Sequence, residues 1–329
     1  MKKLSICIPC YNEEENIMDA YHRVTAVMDG LKDRYEYEII FEDNASLDGS
    51  EAILRKLASE DKRVKVILNM RNYGVMRSGK NVCFRATGDV IITVACDLQE
   101  PPEMIPQFLE EWEKGHLIVW GQKNKSKESP IKFFLRKIYY KIICAMADSP
   151  QFYQTDGFGV IDRSVYDLVK TLDEPTMAMR HLVAELGYPV KFIPYTQEAR
   201  KKGKSSYNLW SSLDFAITSL VNTSFAPLRL ATVTGVLGTF FSALAGIIYL
   251  IYRLASGTAF SGVGLWVLLA VFFVGSVQLS FTGMIGEYVG AILQKNRKRP
   301  LVLERETINF DVTPEMLDGD SKKVLETIG

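Results

Sequence analysis

Neither sign of charge is in surplus: across 329 residues, 39 Lys and Arg face 39 Asp and Glu. A protein held on nucleic acid mainly by charge carries a basic excess, so that class is excluded. No internal repeat or low-complexity stretch is visible, and 47% hydrophobic with 24% charged residues is ordinary for a folded chain. Disorder as the main theme is therefore excluded as well. Neither G-x-G-x-x-G nor G-x-x-x-x-G-K-S/T occurs, which leaves the usual dinucleotide and P-loop phosphate cradles unsupported. The N-terminus, MKKLSICIPC, reaches charge by Glu13 and lacks the apolar core of a signal peptide. Five cysteines, odd in number and without framework spacing, suit reduced thiols. Cys7 and Cys10 form one C-x-x-C, but zinc needs four ligands and no second pair or nearby His joins them.

Charge is missing altogether from 230–252 (LATVTGVLGTFFSALAGIIYLIY), and a second apolar stretch has its heart at 263–286. A helix needs about 20 apolar residues to cross the hydrocarbon core. Helices in soluble cores are usually shorter and keep a polar face, so two transmembrane helices are expected. Arg229 precedes the first and Lys295, Arg297, Lys298 and Arg299 follow the second, while the loop between them carries only Arg253 at its start. Positive charge stays cytoplasmic, which puts both termini inside. The expected division is a cytoplasmic domain over 1–206, an interfacial helix over 207–228, the hairpin over 229–290 and a cytoplasmic tail over 291–329.

What the first part does contain is alternation. LSICIP, YEIIFED, VKVILN and DVIITVACD read as strands. Between them ENIMDAYHRVTAVMDGL, SEAILRKLASE and VMRSGKNVCFRAT read as helices, the first with Ile17, Tyr21, Val24 and Met28 on one side. Such alternation argues for an α/β layer with a mainly parallel sheet. Polar residues gather where the strands end: Tyr11, Asn12 and Glu13; Glu42, Asp43 and Asn44; Asn69, Asn72 and Gly74; Asp97 and Gln99. Ligands of open α/β sheets bind outside those carboxyl ends, so the four clusters mark a binding site.

IPCYNEEENI, EDNASLDGS, NYGVMRSGKNVCFRATGD and CDLQEPPEMI, in this order, resemble the motifs of family 2 glycosyltransferases. The likeness is to the polyprenyl-phosphate branch related to dolichyl-phosphate mannose synthase, in its bacterial form with two C-terminal transmembrane helices. It implies a GT-A fold, a Rossmann-like α/β domain, anchored in the inner (cytoplasmic) membrane. It further implies that Pro9, Tyr11, Glu13, Asp43 and Asn72 line a nucleotide sugar, and that Asp97 and Gln99 hold Mg²⁺ or Mn²⁺ against its diphosphate. Asp97 and Asp156 are the carboxylates expected to serve catalysis, Asp156 lying in TDGFGVIDR, which is similar to the family's acidic turn. The plain reading of Asp156 is a turn cap before Gly157, and Asp48 is expected to hold its turn rather than bind. One departure stands out. The family often reads D-x-D-L-Q, whereas this chain has Ala95-Cys96-Asp97-Leu98-Gln99; Cys96 is expected in the core.

RKKGKSSYN (200–208) is similar to the family's R-x-x-G-x-S-x-Y segment, with Ser206 where a Lys is common. Arg200, Lys202, Lys204, Ser205 and Tyr207 would then receive a lipid phosphate near the membrane, through charge-assisted bonds. The plain reading is a solvated basic loop. The segments 131–147 and 207–228 mix basic and aromatic residues in the manner of interfacial helices. The resemblance implies inverting transfer of one sugar from a nucleotide-sugar donor to a polyprenyl phosphate, by a homo-oligomer. UDP-glucose is the leading donor, ahead of UDP-N-acetylhexosamines and GDP-mannose, and undecaprenyl phosphate is the leading acceptor. A processive synthase would carry Q-x-x-R-W and more membrane helices, which are absent. The alternative from another class is a non-catalytic membrane scaffold with a degenerate fold, to which the missing first acid lends weight; metal-dependent turnover separates the two.

Overall fold

The computed structural model describes residues 1–126, 152, 155–172, 178–198, 224, 226–256, 263–296 and 300–310. The β-branched runs form the expected strands: β1 (Lys2–Cys10), β2 (Tyr35–Asp43), β3 (Val64–Asn69) and β4 (Val90–Thr93). Amphipathic helices connect them, α1 (Ile17–Asp29), α2 (Ser50–Glu60) and α3 (Val75–Phe84). After α4 (Ile105–Glu113) come β5 (Ile118–Ser126), β6 (Gly159–Asp162), α5 (Arg163–Thr171), α6 (Met179–Glu185) and β7 (Lys191–Gln197).

Eight strands make one sheet in the order β7-β5-β6-β4-β1-β2-β3-β8, where β8 is Glu304–Ile308. β1 pairs in parallel with β2 and β4, β2 with β3, and β5 with β7. Only β6 and β8 run the other way, so the sheet is mainly parallel, as expected. Parallel pairing is what puts the ends of β1 to β4 on one edge.

Burial on both faces explains the continuous apolar runs of these strands. One core holds Ile6, Ile8, Ile39 and Phe41 against Ile17, Val24 and Met28 of α1 and Leu54 and Leu57 of α2. The other holds Cys7, Ile40, Ile67 and Ile91 against Val82 and Cys83 of α3 and Val165 and Val169 of α5. Cys7 and Cys10 therefore fall on opposite faces of β1, three positions apart along a period of two. Each is buried and donates to a carbonyl, Cys7 to Val82 and Cys10 to Glu42, and burial pushes both thiols well up. They are core residues, and so is Cys96.

Two carboxylates on one face of β2 show what a burial site decides. Burial would push Glu38 up, but bonds from Ser5, Lys65, the Thr87 amide and Lys3 outweigh it and hold the group at about 2. At Glu42 the bonds from Asn69, Ser78 and Asn81 come from neutral groups, and burial outweighs them and raises it to about 8. An acid raised from 4.5 to about 8 keeps a proton in the folded state that the unfolded chain has released. Stability then falls as pH rises through that window and levels off above it. We expect the melting temperature to drop between pH 5 and pH 8 and the slope to shrink, without vanishing, in Glu42→Gln, because Glu100 is raised to about 8 as well; thermal melts across pH read this, and an unchanged slope would refute the assignment.

Two long helices follow, α7 (Ala226–Ser256) and α8 (Val263–Asn296). At about 1.5 Å per residue each is longer than the roughly 30 Å hydrocarbon core of a bilayer. Their apolar side chains face outward, with Phe240 61% and Phe273 71% exposed. Among the described residues one stretch, Ala270–Gly290, is long and apolar enough to cross a membrane by length and composition. Tyr288 of α8 donates to the Ser224 carbonyl at 2.6 Å, beside the start of α7. The chain then returns to the sheet. β8 lies antiparallel on β3, so the expected tail contributes the eighth strand.

Candidate active site

The loops beyond β1 and β2 are stitched to each other. The Asn12 amide donates to Ser46 Oγ at 2.8 Å, and Asn12 Oδ1 accepts from the Leu47 amide at 2.8 Å. The Glu13 amide donates to Ser50 Oγ, and Asn16 Nδ2 donates to Glu13 Oε2 at 2.6 Å. Asp48 accepts from the amides of Ser50 and Glu14 and so holds the turn, as expected. Asp43 ends β2 almost fully buried and accepts from the amide and hydroxyl of Ser46. Burial raises its carboxyl despite those bonds. Asn72 Oδ1 accepts from Asn44 Nδ2 and the Gly74 amide, at 2.9 and 2.8 Å. Its amide thus shapes the turn that opens α3, where Gly74 sits at φ +84°.

Beside these loops opens a cavity of about 580 Å³. Its lining brings together Pro9, Asp97, Gln99 and Asp156 of the expected residues, with Ala95 beside them. Tyr11, Glu13 and Asn72 lie on the neighbouring loops and Asp43 at the end of β2, rather than in that lining. The turn after β4 carries Leu98 at φ +55°, a left-handed conformation costing a side chain about 1 kcal/mol. That turn aims Asp97 and Gln99 at the cavity while Leu98 and Cys96 stay buried. Asp97 Oδ1 accepts from the Gln99 amide at 3.2 Å, and Gln99 Oε1 accepts from Gln197 Nε2 at 3.4 Å.

Asp156 stands on the far side, ion-paired with Lys123 of β5 and 3.7 Å from an Arg180 nitrogen of α6. Thr155, fully buried, anchors the turn by donating to the Gly121 carbonyl at 3.0 Å. Glu100 is buried under the cavity. Burial and the charges of Asp156 and Asp97 raise it to about 8 against the pull of Lys123. Lys80, Glu100, Lys123 and Arg180 all line the cavity and were not singled out from the sequence. Lys123 gave no signal, because it stands in the polar second half of β5, among Gln122, Asn124 and Lys125. Arg200, Lys202, Lys204, Ser205 and Tyr207 lie outside the described residues, as do 131–147 and nearly all of 207–228.

The lining sets three cations, Lys80, Lys123 and Arg180, against three acids, Asp97, Glu100 and Asp156. Among the described residues no three His, Cys, Asp or Glu side chains come close enough to hold a metal by themselves. A divalent ion still fits the donor set, because hard ions of this kind need one or two protein oxygens and complete their shell from phosphates and water. Asp97, with Gln99 beside it, offers that hard oxygen.

The sequence profile described as "Glycosyl transferase family 2" matches residues 5–171. The glycosyltransferase YkcC of Bacillus subtilis (strain 168) is 32% identical over 310 residues, 93% of this chain and 94% of its own length. A glycosyltransferase of Synechocystis sp. is 30% identical over 95% of this chain and 98% of its own. A protein of Shigella phage SfV, named bactoprenol glucosyl transferase, is 30% identical over 91% of this chain and 96% of its own. With half of its length inside the family profile and relatives alike from end to end, the chain belongs to glycosyl transferase family 2.

Proposed function

We propose that the protein transfers one sugar, glucose first among candidates, from a nucleotide diphosphate to a polyprenyl phosphate at the cytoplasmic face of a membrane. The observation that carries this is the cavity itself, where Asp97 meets a wall of Lys80, Lys123 and Arg180 at the carboxyl edge of a parallel sheet. Cations there suit two phosphates, the donor's and the acceptor's. The name of the phage relative supports the choice of glucose and a prenyl acceptor.

In the reaction an acceptor phosphate oxygen bonds to the anomeric carbon as the bond from that carbon to the donor's diphosphate breaks, with inversion. A phosphate monoester has a second pKa near 6, so it arrives mostly as the dianion and has no proton to lose. A general base is dispensable. Asp156, already engaged by Lys123 and Arg180, fits a role in orienting those cations toward the acceptor. Asp97 and Gln99 would hold Mg²⁺ or Mn²⁺, which supplies charge stabilisation to the leaving diphosphate. The loops bearing Tyr11, Glu13 and Asp43 would take the nucleoside end, a buried carboxylate being an acceptor for a base N–H or a ribose hydroxyl.

The membrane reading rests on the outward apolar faces of α7 and α8 and on parity. β8 belongs to the same sheet as β1 to β7, so a chain that leaves that sheet through α7 must come back through α8. Two crossings satisfy this with both termini on one side, in agreement with the basic residues at 295–299. Arg200, Lys202, Lys204, Ser205 and Tyr207 are proposed to meet the lipid phosphate there.

The test is transfer by the purified chain in detergent, with undecaprenyl phosphate, a panel of labelled nucleotide sugars, and Mg²⁺, Mn²⁺ or EDTA. Organic-extractable label that EDTA suppresses is the expected result. A folded protein that makes no lipid-linked product from any donor returns the weight to a scaffold. Replacing Arg200 and Lys204 together with Ala is expected to raise the acceptor KM severalfold more than the donor KM. Equal effects on both would remove these residues from the acceptor site.

A further inference from the structure

β8 carries an irregularity that re-aims one side chain. Opposite β3 its register runs Ile308 to Val66, Thr307 to Ile67 and Glu306 to Leu68, then skips Arg305 and sets Glu304 against Asn69. Without the extra residue Glu304 and Glu306 would share a face. With it they part: Glu306 pairs with Arg55 of α2 on one side, at 2.9 Å to the Arg55 Nη1, while Glu304 turns to α3 on the other. A bulge bends a strand and redirects a side chain in this way, and bulges gather beside active sites.

Glu304 Oε1 accepts from Arg85 Nε and from Asn81 Nδ2, each at 2.8 Å, and its other oxygen accepts from Arg85 Nη2. The bonds do not stop there. Asn81 Nδ2 also reaches Glu42 Oε2 at 3.1 Å, and Glu42 Oε1 accepts from Asn69 Nδ2 at 2.8 Å. Asn69 Nδ2 contacts Asn44 Oδ1 at 3.3 Å, which accepts from the Tyr73 amide at 2.9 Å, and Asn44 Nδ2 donates to Asn72. An unbroken chain of side chains thus joins the returning strand to two loops: the one after Asp43, and the turn at Asn72 to Gly74. Buried amide and carboxylate groups bonded at each step hold one arrangement, since breaking any step strands a polar group away from water.

We propose that Glu304 is a positioning residue for the donor site, fixing the loops beyond β2 and β3 in their nucleotide-receiving form through Asn81, Glu42, Asn69 and Asn44. The inference rests on the reading of those loops as the nucleoside end of the site. Loops held ready lower the ordering cost of binding, so loosening them weakens donor affinity and leaves acceptor affinity alone. The segment after α8 thereby has a say in how tightly the donor is held.

The experiment compares full-length wild type, Glu304→Ala and Glu306→Ala in detergent. The probes are direct binding of UDP, and the donor and acceptor KM values with UDP-glucose and undecaprenyl phosphate. Both variants lose an ion pair of β8, and both are expected to melt earlier. Only Glu304→Ala should weaken UDP binding and raise the donor KM, by about tenfold, with the acceptor KM unchanged; Glu304→Gln, which keeps an acceptor oxygen, should recover part of the loss. If Glu304→Ala does not fold, Arg85→Lys, which keeps the charge but loses the fork, should show the same donor-specific defect. Donor affinity no weaker in Glu304→Ala, or in Arg85→Lys, than in Glu306→Ala overturns the proposal. Absence of UDP binding and turnover in the wild type would instead overturn the functional reading, and the proposal with it.

Discussion

Asp97→Asn is expected to abolish sugar transfer, lowering kcat/KM by about a hundredfold to a thousandfold, the range for loss of a group that stabilises transition-state charge. The carboxylate faces the cavity, and its Oδ1 accepts from the Gln99 amide. An asparagine side chain offers the same oxygen to that amide, so the turn at Leu98 survives the exchange and the melting temperature should hardly move. What asparagine lacks is the negative charge that Asp97 would bring to the proposed divalent ion. Transfer to undecaprenyl phosphate, assayed beside a thermal melt, checks both halves. Wild-type-like turnover would remove Asp97 from the chemistry. Asp156→Asn should cost less, because the acceptor needs no base and Lys123 and Arg180 remain in place.

Gly159→Ala is expected to be the most damaging single methyl in the described fold. Gly159 opens β6 at φ +143°, where L side chains are strained. A Cβ there would stand 2.2 Å from the Val119 carbonyl oxygen and 2.9 Å from the Trp120 Cα. Both obstacles are backbone of β5, the strand that Gly159 pairs with opposite Trp120, so neither can step aside without parting the sheet. Backbone strain and overlap together place the cost at roughly 3 kcal/mol or more. Thermal or denaturant unfolding reads this directly, and a variant as stable as wild type would contradict the close approach. Because Asp156 sits three residues upstream in the same turn, the variant that still folds should also lose activity.

The parts of this molecule that repeat a period were legible. β1 to β4 and α1 to α3 follow from apolar runs and from residues spaced like Ile17, Val24 and Met28, and parallel pairing carried the four polar clusters to one edge. Asp97 and Asp156 were legible because the motifs around them are specific. Lys80, Lys123, Arg180 and Glu100 were not, since they meet only when β5, α3 and α6 close around the turn after β4. β8 was hidden for a different reason. ERETI is short, largely charged and carries an irregularity at Arg305, so it shows no alternation, and its apolar contribution is slight. Charged residues on an edge strand are what an edge tolerates.

The last strand of the sheet is also the last piece of it to be made. Val64–Asn69 is synthesised early, yet its outer partner comes only after both long helices have left the ribosome. Until then β3 presents a row of unpaired amides and carbonyls to the cell, the surface on which chains stick to one another. Residues 304–308 therefore act as a late seal, and the nascent domain stays vulnerable to its neighbours for as long as α7 and α8 take to be synthesised.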